Sequence, residues 1–180
     1  MALIRVIGGV YGGRKLDAPD GRTTHPMGER IRNALFNSIG SEIAGAQVLD
    51  AFAGTGAVGI EALSRGAKSA VFIEKDRIAQ KCISNNIANL QISNARLVKA
   101  TVSAWLQTRA GDKFDIIFAD PPYNDTQLSV ITKLAGLLKT EGTLVLSWPE
   151  QQPAPQLTGL EVMFDRVYAG ARIVMYKFVK

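Results

Sequence analysis

The chain has very few of the residues that build disulfides and metal centres. It contains one cysteine and one histidine among its 180 residues. A single cysteine excludes an internal disulfide and any zinc site built from cysteine pairs. The single histidine, His25, excludes histidine clusters and makes a Ser-His-Asp triad a poor candidate. We therefore expect a chemistry that uses no metal ion.

Long apolar runs are also missing. The longest runs are far too short to cross a bilayer, and the amino terminus has no apolar segment behind a basic start. We expect a cytoplasmic protein that does not enter a membrane. The 180 residues, 47% of them hydrophobic, fit one compact domain. Within it we place an amino-terminal hairpin extension at residues 1–28 and a catalytic sheet at 29–180.

The charge balance is moderately basic. Twenty-one lysines and arginines against 16 aspartates and glutamates give a net charge of +5. Residues 1–32 contain six basic and three acidic side chains. This bias favours a polyanionic partner, although an ordinary solvated basic face would have the same composition.

Apolar runs and amphipathic segments alternate along the chain, as they do in doubly wound α/β proteins. The patterns predict strands at 48–52, 69–74, 95–99, 114–119, 142–147, 160–168 and 172–178. They predict helices at 29–39, 57–65, 76–90 and 126–138, with a helical turn around Trp105. An amino-terminal hairpin is predicted from 3–7 and 10–16. Cys82 falls on an apolar helix stripe, which indicates a packed thiol rather than a nucleophile.

The segment Asp120-Pro121-Pro122-Tyr123 directly follows the apolar run 114–119. Ligands of open α/β sheets bind at the carboxyl ends of the strands. At that place the Asp120 carboxylate and the Pro121 carbonyl can each accept one N–H of an exocyclic amine, and so hold a planar base by its amino group. Tyr123 can stack on the base, and the two prolines fix the loop. An ordinary turn with two prolines is the alternative.

A glycine-rich segment follows the first strand of the predicted sheet. It runs Asp50-Ala51-Phe52-Ala53-Gly54-Thr55-Gly56, and glycine permits positive φ and close approach of a ligand. An acid at the strand tip disfavours a pyrophosphate and favours a cationic or zwitterionic ligand. Glu74 ends the next strand, where an acid commonly accepts hydrogen bonds from ribose hydroxyls. Alternatively, Glu74 only caps the turn that follows it.

Together, these segments resemble the class I S-adenosylmethionine-dependent methyltransferases, and the tetrapeptide resembles members that methylate exocyclic amines. Three amino-terminal segments narrow the resemblance to the RsmD-type family of 16S ribosomal RNA guanine-N2 methyltransferases: Arg5-Val6-Ile7-Gly8-Gly9, Gly13-Arg14-Lys15-Leu16, and Pro26 to Arg32. The likeness covers nearly the whole chain. It implies a Rossmann-like α/β fold with a mostly parallel seven-stranded sheet, an antiparallel last strand and a small amino-terminal hairpin.

The resemblance also implies a cofactor, a partner and a set of site residues. The cofactor is S-adenosyl-L-methionine, S-adenosylhomocysteine is the product, and the partner is 16S ribosomal RNA within a small-subunit particle, bound by a monomer. The implied catalytic residues are Asp120, Pro121, Pro122 and Tyr123. The cofactor-binding residues are Asp50, Phe52, Gly54, Thr55, Gly56, Glu74, Lys75, Thr101, Val102 and Asp120. The residues assigned to RNA are Arg5, Arg14, Lys15, Arg30 and Tyr123.

The chain departs from the family pattern at one place and leaves other functions open. His25 and Glu29 stand where the family often has an arginine and an aspartate, so their roles are undetermined. Adenine N6 in DNA or RNA is the closest alternative acceptor, and a non-catalytic nucleic-acid-binding protein is the alternative from another class. Carbon methylation through a cysteine adduct is disfavoured because Cys82 lies far from both motifs. We expect Trp105 and Trp148 to be packing residues.

Overall fold

A computed structural model describes residues 4–19, 27–108, 111–168 and 170–178 of the chain. The strands are β1 (Ile4–Arg5), β2 (Lys15–Leu16), β3 (Gln47–Asp50), β4 (Ser69–Glu74), β5 (Ala95–Lys99), β6 (Phe114–Ala119), β7 (Leu138–Trp148), β8 (Leu160–Tyr168) and β9 (Ala171–Phe178). The helices are α1 (Glu29–Ile39), α2 (Ala57–Ser64), α3 (Arg77–Asn89), α4 (Val102–Leu106) and α5 (Leu128–Ala135). A 3-10 turn at Gly40–Ile43 follows α1.

Seven of these strands form one sheet in the order β5-β4-β3-β6-β7-β9-β8, and β1 pairs with β2 in a separate hairpin. Strands β3 to β7 pair in parallel, whereas β9 is antiparallel to both of its neighbours. The predicted mostly parallel sheet with an antiparallel last strand and a hairpin extension is therefore confirmed. Since the strand order reverses between β3 and β6, the ligand crevice is expected where these two strands end.

Helices cover both faces of the sheet because successive strand residues point to opposite sides. In β3, Val48 packs in the core under α1, α2 and α3, where Phe36 and Ile60 are also buried. The next residue, Leu49, packs in the core on the other face, under α4 and α5. Trp105 belongs to that second core and is 4% exposed.

Several boundaries differ from the sequence prediction by one or two residues, such as β3, which ends at Asp50 rather than at 52. Three elements differ more. The helix predicted at 126–138 is limited to Leu128–Ala135, and β7 begins at Leu138 rather than at 142. The polar residues after Leu138 suggest a turn, but Glu141 adopts a φ of 65° and the strand continues through an irregular pairing with β6. In the hairpin, only two residues of each strand pair because Gly9 and Gly13 form turns with positive φ.

The amino-terminal extension is attached to α2 by buried polar side chains. The Glu61 carboxylate is 0% exposed and accepts hydrogen bonds from the Ile7 amide at 2.7 Å and the Gly8 amide at 3.0 Å. The Ser64 hydroxyl accepts from the Tyr11 amide at 2.9 Å. At Gly9 an added Cβ would lie 1.8 Å from the Ser64 carbonyl oxygen, so only glycine lets the backbone of the extension pack this closely on the end of α2.

Two further side chains extend this attachment. The buried Arg32 of α1 donates to the carbonyl oxygens of Met27 and Arg5, and its Nε lies 3.9 Å from the Glu61 carboxylate. Asn86 of α3 accepts from the Asp17 amide at 2.7 Å and donates to the Thr55 carbonyl at 3.3 Å. The extension is thereby connected to the glycine-rich loop after β3.

Candidate active site

The glycine-rich loop turns directly from the end of β3 into α2. Gly54 and Gly56 adopt φ values of 53° and 76°, which favour glycine. A Cβ at Gly54 would meet nothing within 4 Å, so the backbone there faces open space that a ligand can enter. Gly59 is required for another reason, because a Cβ there would lie 2.3 Å from the Phe72 ring. That glycine allows α2 to pack closely on β4.

Asp50, at the tip of β3, is a buried carboxylate beneath this loop. It is 4% exposed, and its Oδ2 accepts a hydrogen bond from the Gly59 amide at 2.9 Å. Burial raises the pKa of Asp50 to about 7, against the lowering effect of the Gly59 amide. The charges of Asp120 and Glu74 raise it further. Three carboxylates therefore meet where β3, β4 and β6 end, and a cationic ligand would relieve their repulsion.

Glu74 ties the end of β4 to the glycine-rich loop. Its Oε2 accepts a hydrogen bond from the Gly54 amide and its Oε1 accepts one from the Asp76 amide, both at 2.7 Å. Glu74 therefore does cap the turn that follows β4, as the alternative interpretation of this residue expects. Each carboxylate oxygen has a further lone pair, so the same side chain can also accept from ribose hydroxyls.

The other residues assigned to the cofactor lie around these acids at the carboxyl edge of the sheet. The Lys75 side chain is exposed, Phe52 is half-buried, and Val102 is 5% exposed. The Thr101 hydroxyl accepts from the Ala104 amide at 3.1 Å and caps α4. This cap uses one lone pair of the hydroxyl, so contacts to an adenine ring at this position can come from backbone groups, Thr101 or Val102.

The Asp-Pro-Pro-Tyr loop leaves the sheet at the end of β6, beside β3. Asp120 is half-buried and Pro121 is buried, while Pro122 and Tyr123 are exposed. Burial raises the pKa of Asp120 to about 6, and a hydrogen bond from the Ser147 side chain opposes this rise. The Asp120 carboxylate is therefore ionised for the most part at neutral pH.

Ser147 is a site residue that the sequence analysis missed. It is 3% exposed at the end of β7, and its Oγ lies 2.6 Å from the hydroxyl oxygen of Tyr123. The only sequence signal is a hydroxyl residue at the end of the apolar run before Trp148. Its position beside the loop follows from the pairing of Ala119 with Leu146.

The basic residues assigned to RNA lie in the extension and on α1. Arg14, Lys15 and Arg30 are exposed. Arg5 forms a salt bridge of 3.1 Å with Glu29, which gives that undetermined glutamate a partner within the protein. His25 lies outside the described residues.

The remaining expectations concern packing and membranes. Trp148 is 4% exposed, as Trp105 is, and Cys82 is 9% exposed, so all three are packing residues as expected. In the parts of the chain that the structure describes, no helix has the length and apolar character needed to cross a membrane.

Comparison with known proteins identifies the family. Residues 4–177 match the family model described as Conserved hypothetical protein 95. The ribosomal RNA small subunit methyltransferase D of Escherichia coli K12 is 40% identical over 141 residues, which are 78% of this chain and 69% of that protein. YlbH of Bacillus subtilis is 32% identical over 97% of this chain and 98% of its own length. The solved structure of yhhF from Escherichia coli has a TM-score of 0.89, with 35% identity and 98% of both chains covered. The chain therefore belongs to the Conserved hypothetical protein 95 family, the RsmD-type methyltransferases.

Proposed function

We propose that this protein transfers a methyl group from S-adenosylmethionine to the exocyclic N2 of a guanine in 16S ribosomal RNA. The observation that supports this most directly is the meeting of Asp50, Glu74 and Asp120 at the carboxyl ends of three adjacent strands. This arrangement puts an acceptor for a base amine beside an anionic crevice suited to a sulfonium cofactor. The name of the Escherichia coli relative supports the choice of RNA.

The residues of the crevice fit this cofactor. The open backbone at Gly54, the amides near Thr55 and Gly56, and the ionisable acid Asp50 suit the amino-acid part of the ligand. We assign Glu74 to the ribose. We assign Phe52, Lys75, Thr101 and Val102 to the adenine. When bound, the cofactor supplies an already activated methyl group, so the protein mainly has to align the acceptor, which contributes up to about 7–11 kcal/mol in ideal cases.

We assign the alignment of the acceptor to the Asp-Pro-Pro-Tyr loop. The Asp120 carboxylate and the Pro121 carbonyl accept the two N–H groups of the guanine amine, so that its lone pair faces the methyl group. The negative charge of Asp120 stabilises the positive charge that develops on the nitrogen. Asp120 can then take the extra proton, since its pKa is about 6. Stacking on Tyr123 contributes about 1–3 kcal/mol, and the base has to leave its helix to reach the loop.

We assign the extension to the RNA backbone. Arg14 in the turn before β2 and Lys15 on β2 are exposed and can contact phosphate groups. Phosphate contacts position an RNA without reading its sequence. Residues 1–28 and 29–180 form one functional domain in this proposal, because the extension is fixed to α2 and α3 by hydrogen bonds. We propose that the protein acts as a monomer on a small-subunit particle, in the cytoplasm.

The test is transfer of labelled methyl from S-adenosylmethionine to three acceptors, followed by nucleoside analysis of the products. The acceptors are small ribosomal subunits that lack the modification, naked 16S RNA, and duplex DNA. We expect N2-methylguanosine from a ribosomal acceptor. N6-methyladenine in any product would replace the proposed acceptor with adenine. No transfer to any acceptor, with normal cofactor binding, would contradict the proposal and favour a binding protein.

A further inference from the structure

The positive charge of the protein is concentrated at one edge of the sheet. Residues 65–99, which run from the end of α2 through β4, α3 and β5, contain seven basic and two acidic side chains. This surplus of five equals the net charge of the whole chain, so the rest of the sequence is balanced. A surface with such a surplus attracts polyanions.

The two acids in this segment do little to neutralise the surface. Glu74 binds the amides of Gly54 and Asp76 and belongs to the cofactor crevice. Asp76 caps α3, accepting from the Ile78 amide at 3.0 Å and the Ala79 amide at 2.9 Å. Its charge is therefore directed at the positive end of the helix dipole.

The basic side chains of the segment are available for a partner, with one exception. Arg65 is paired with the buried Glu61 at 2.7 Å. The others are exposed, and within the described residues none of them forms a salt bridge; they are Lys68, Lys75, Arg77, Lys81, Arg96 and Lys99. We name these six residues the basic edge.

The basic edge is continuous with the proposed active site and with the extension. Among the described strands, β5 is the outermost and pairs with β4 alone, and its last residue, Lys99, is in register with Glu74 of the crevice. On α3, Asn85 and Asn86 donate hydrogen bonds to Asp17 of the extension. An RNA strand bound to the extension can therefore continue across α3 to β5.

A groove beside β5 adds surface without adding negative charge. It has a volume of about 450 Å³ and lies between β5 and α4, with Val98 and Trp105 among its lining residues. Arg96 is the one charged residue among the described residues that line it. Nothing in this lining would repel a phosphate group.

We propose that the basic edge binds the phosphate backbone of the RNA substrate, at nucleotides away from the methylated base. The inference rests on the proposed function and adds a second RNA contact to the one assigned to Arg14 and Lys15. Two anchors joined through α3 fix the orientation of the RNA over the crevice. Contacts of this kind supply affinity and position but no sequence readout.

The test compares two triple variants of the full-length chain that remove the same charge from different places. The edge variant is Arg77→Gln, Lys81→Gln and Arg96→Gln; the control variant is Lys113→Gln, Lys133→Gln and Arg166→Gln. All six side chains are exposed, and the control residues lie on β6, α5 and β8 or next to them. RNA affinity is measured over a salt series, and cofactor affinity is measured by calorimetry.

We expect the edge variant to bind RNA at least about tenfold more weakly than the wild type at low salt. The slope of log affinity against log salt concentration should fall in magnitude by about 2, since each lost phosphate contact removes about 0.7–0.9 from that slope. Cofactor affinity and the rate at saturating RNA should match the wild type. Equal RNA binding by the two triple variants would overturn the inference. A wild-type protein that methylates no RNA would instead refute the proposed function, so the two failures are distinguishable. Tighter binding to anionic vesicles than to RNA would assign the edge to a membrane surface and also overturn the inference.

Discussion

The hydroxyl oxygen of Tyr123 lies 2.6 Å from the Oγ of Ser147, a distance typical of a strong O–H···O hydrogen bond. The buried Ser147 side chain also hydrogen-bonds Asp120 and lowers its pKa. One hydroxyl group therefore links the aromatic ring and the acid of the same loop. This arrangement gives Ser147 a positioning role that can be separated from the chemistry of Asp120.

Ser147→Ala should shift the pH dependence of methyl transfer. Asp120 has to be ionised to stabilise the positive charge that develops on the amine nitrogen, and loss of the Ser147 hydrogen bond raises the pKa of Asp120. We expect the acidic limb of the kcat profile, near pH 6 in the wild type, to move to higher pH. Cofactor affinity should stay the same.

The control for this shift is Ser147→Thr, which keeps the hydroxyl group. The other ionisable groups near the loop, Asp50, Tyr123 and Glu150, are unchanged in both variants. Recovery of the wild-type profile in the threonine variant would attribute the shift to the hydroxyl. An alanine variant with a wild-type profile would refute the positioning role.

Asp120→Ala should remove methyl transfer while leaving S-adenosylmethionine binding nearly intact. The lost carboxylate is the group that aligns the amine and stabilises its developing charge, and such a group contributes about 3–4 kcal/mol, or roughly 10²–10³-fold in rate. Single-turnover transfer and cofactor titration measure the two effects separately. A variant with half of the wild-type rate would contradict the role given to this carboxylate.

Asp50→Asn should stabilise the cofactor-free protein at high pH while it weakens cofactor binding. Because burial raises the pKa of Asp50 to about 7, the folded protein binds a proton that the unfolded chain releases near pH 4. The wild-type free energy of unfolding therefore falls as pH rises from about 4 to 7. The asparagine side chain carries no charge, so the variant does not lose stability in this pH range. We expect its free energy of unfolding to exceed that of the wild type by about 2 kcal/mol at about pH 8 and by little at about pH 4.

Urea unfolding at several pH values measures this gain, and Asp115→Asn is the matched control. Burial of Asp115 is outweighed by hydrogen bonds from the Gln47 amide and from Lys139, so its pKa is lowered. Asp115→Asn should therefore be less stable than the wild type at neutral pH, an effect opposite in sign to that of Asp50→Asn. A pH-independent effect of Asp50→Asn would show that repacking, rather than charge, changes the stability.

The elements around the site follow closely from local sequence. The bounds of α1, β4, β5 and β6 agree with the prediction because each has a clear apolar period and a polar or glycine boundary. The acids Asp50, Glu74 and Asp120 could be grouped without a structure. They end strands that run in parallel, and the ends of parallel strands meet at one edge of a sheet.

Other features depend on pairings that the sequence does not specify. The place of Ser147 depends on the register of β7 against β6, and the irregular pairing near Glu141 hides where that strand begins. Glu61 is a glutamate within an apolar helix, and its partners Arg32 and Ile7 are distant in sequence. Contacts of this kind arise from tertiary packing, which local periodicity does not report.

Arg14→Ala combined with Lys15→Ala should weaken RNA binding and flatten its salt dependence. Both side chains are exposed, and each lost phosphate contact should lower the salt slope by about 0.7–0.9. Lys113→Ala combined with Lys133→Ala removes the same charge next to β6 and on α5, outside the extension, and serves as the control. A salt slope equal to that of the wild type would count against the hairpin as an RNA contact.

Glu61→Gln should loosen the extension from the catalytic sheet. The Glu61 carboxylate accepts from the Ile7 and Gly8 amides and from Arg65, whereas a glutamine amide would present N–H donors to some of the same groups. The buried Arg32 would also lose the charge nearest to it, and breaking a buried pair in this way costs about 3–5 kcal/mol.

The loosening of the extension can be measured as faster hydrogen exchange at residues 4–16 and as a lower free energy of unfolding. Glu42→Gln is the control, because Glu42 forms an exposed ion pair with Lys177 that contributes about 1 kcal/mol or less. If the extension aligns RNA with the crevice, Glu61→Gln should raise the KM for RNA more than it lowers cofactor affinity. Equal losses in both would instead indicate that the junction supports the glycine-rich loop, to which Asn86 also connects the extension.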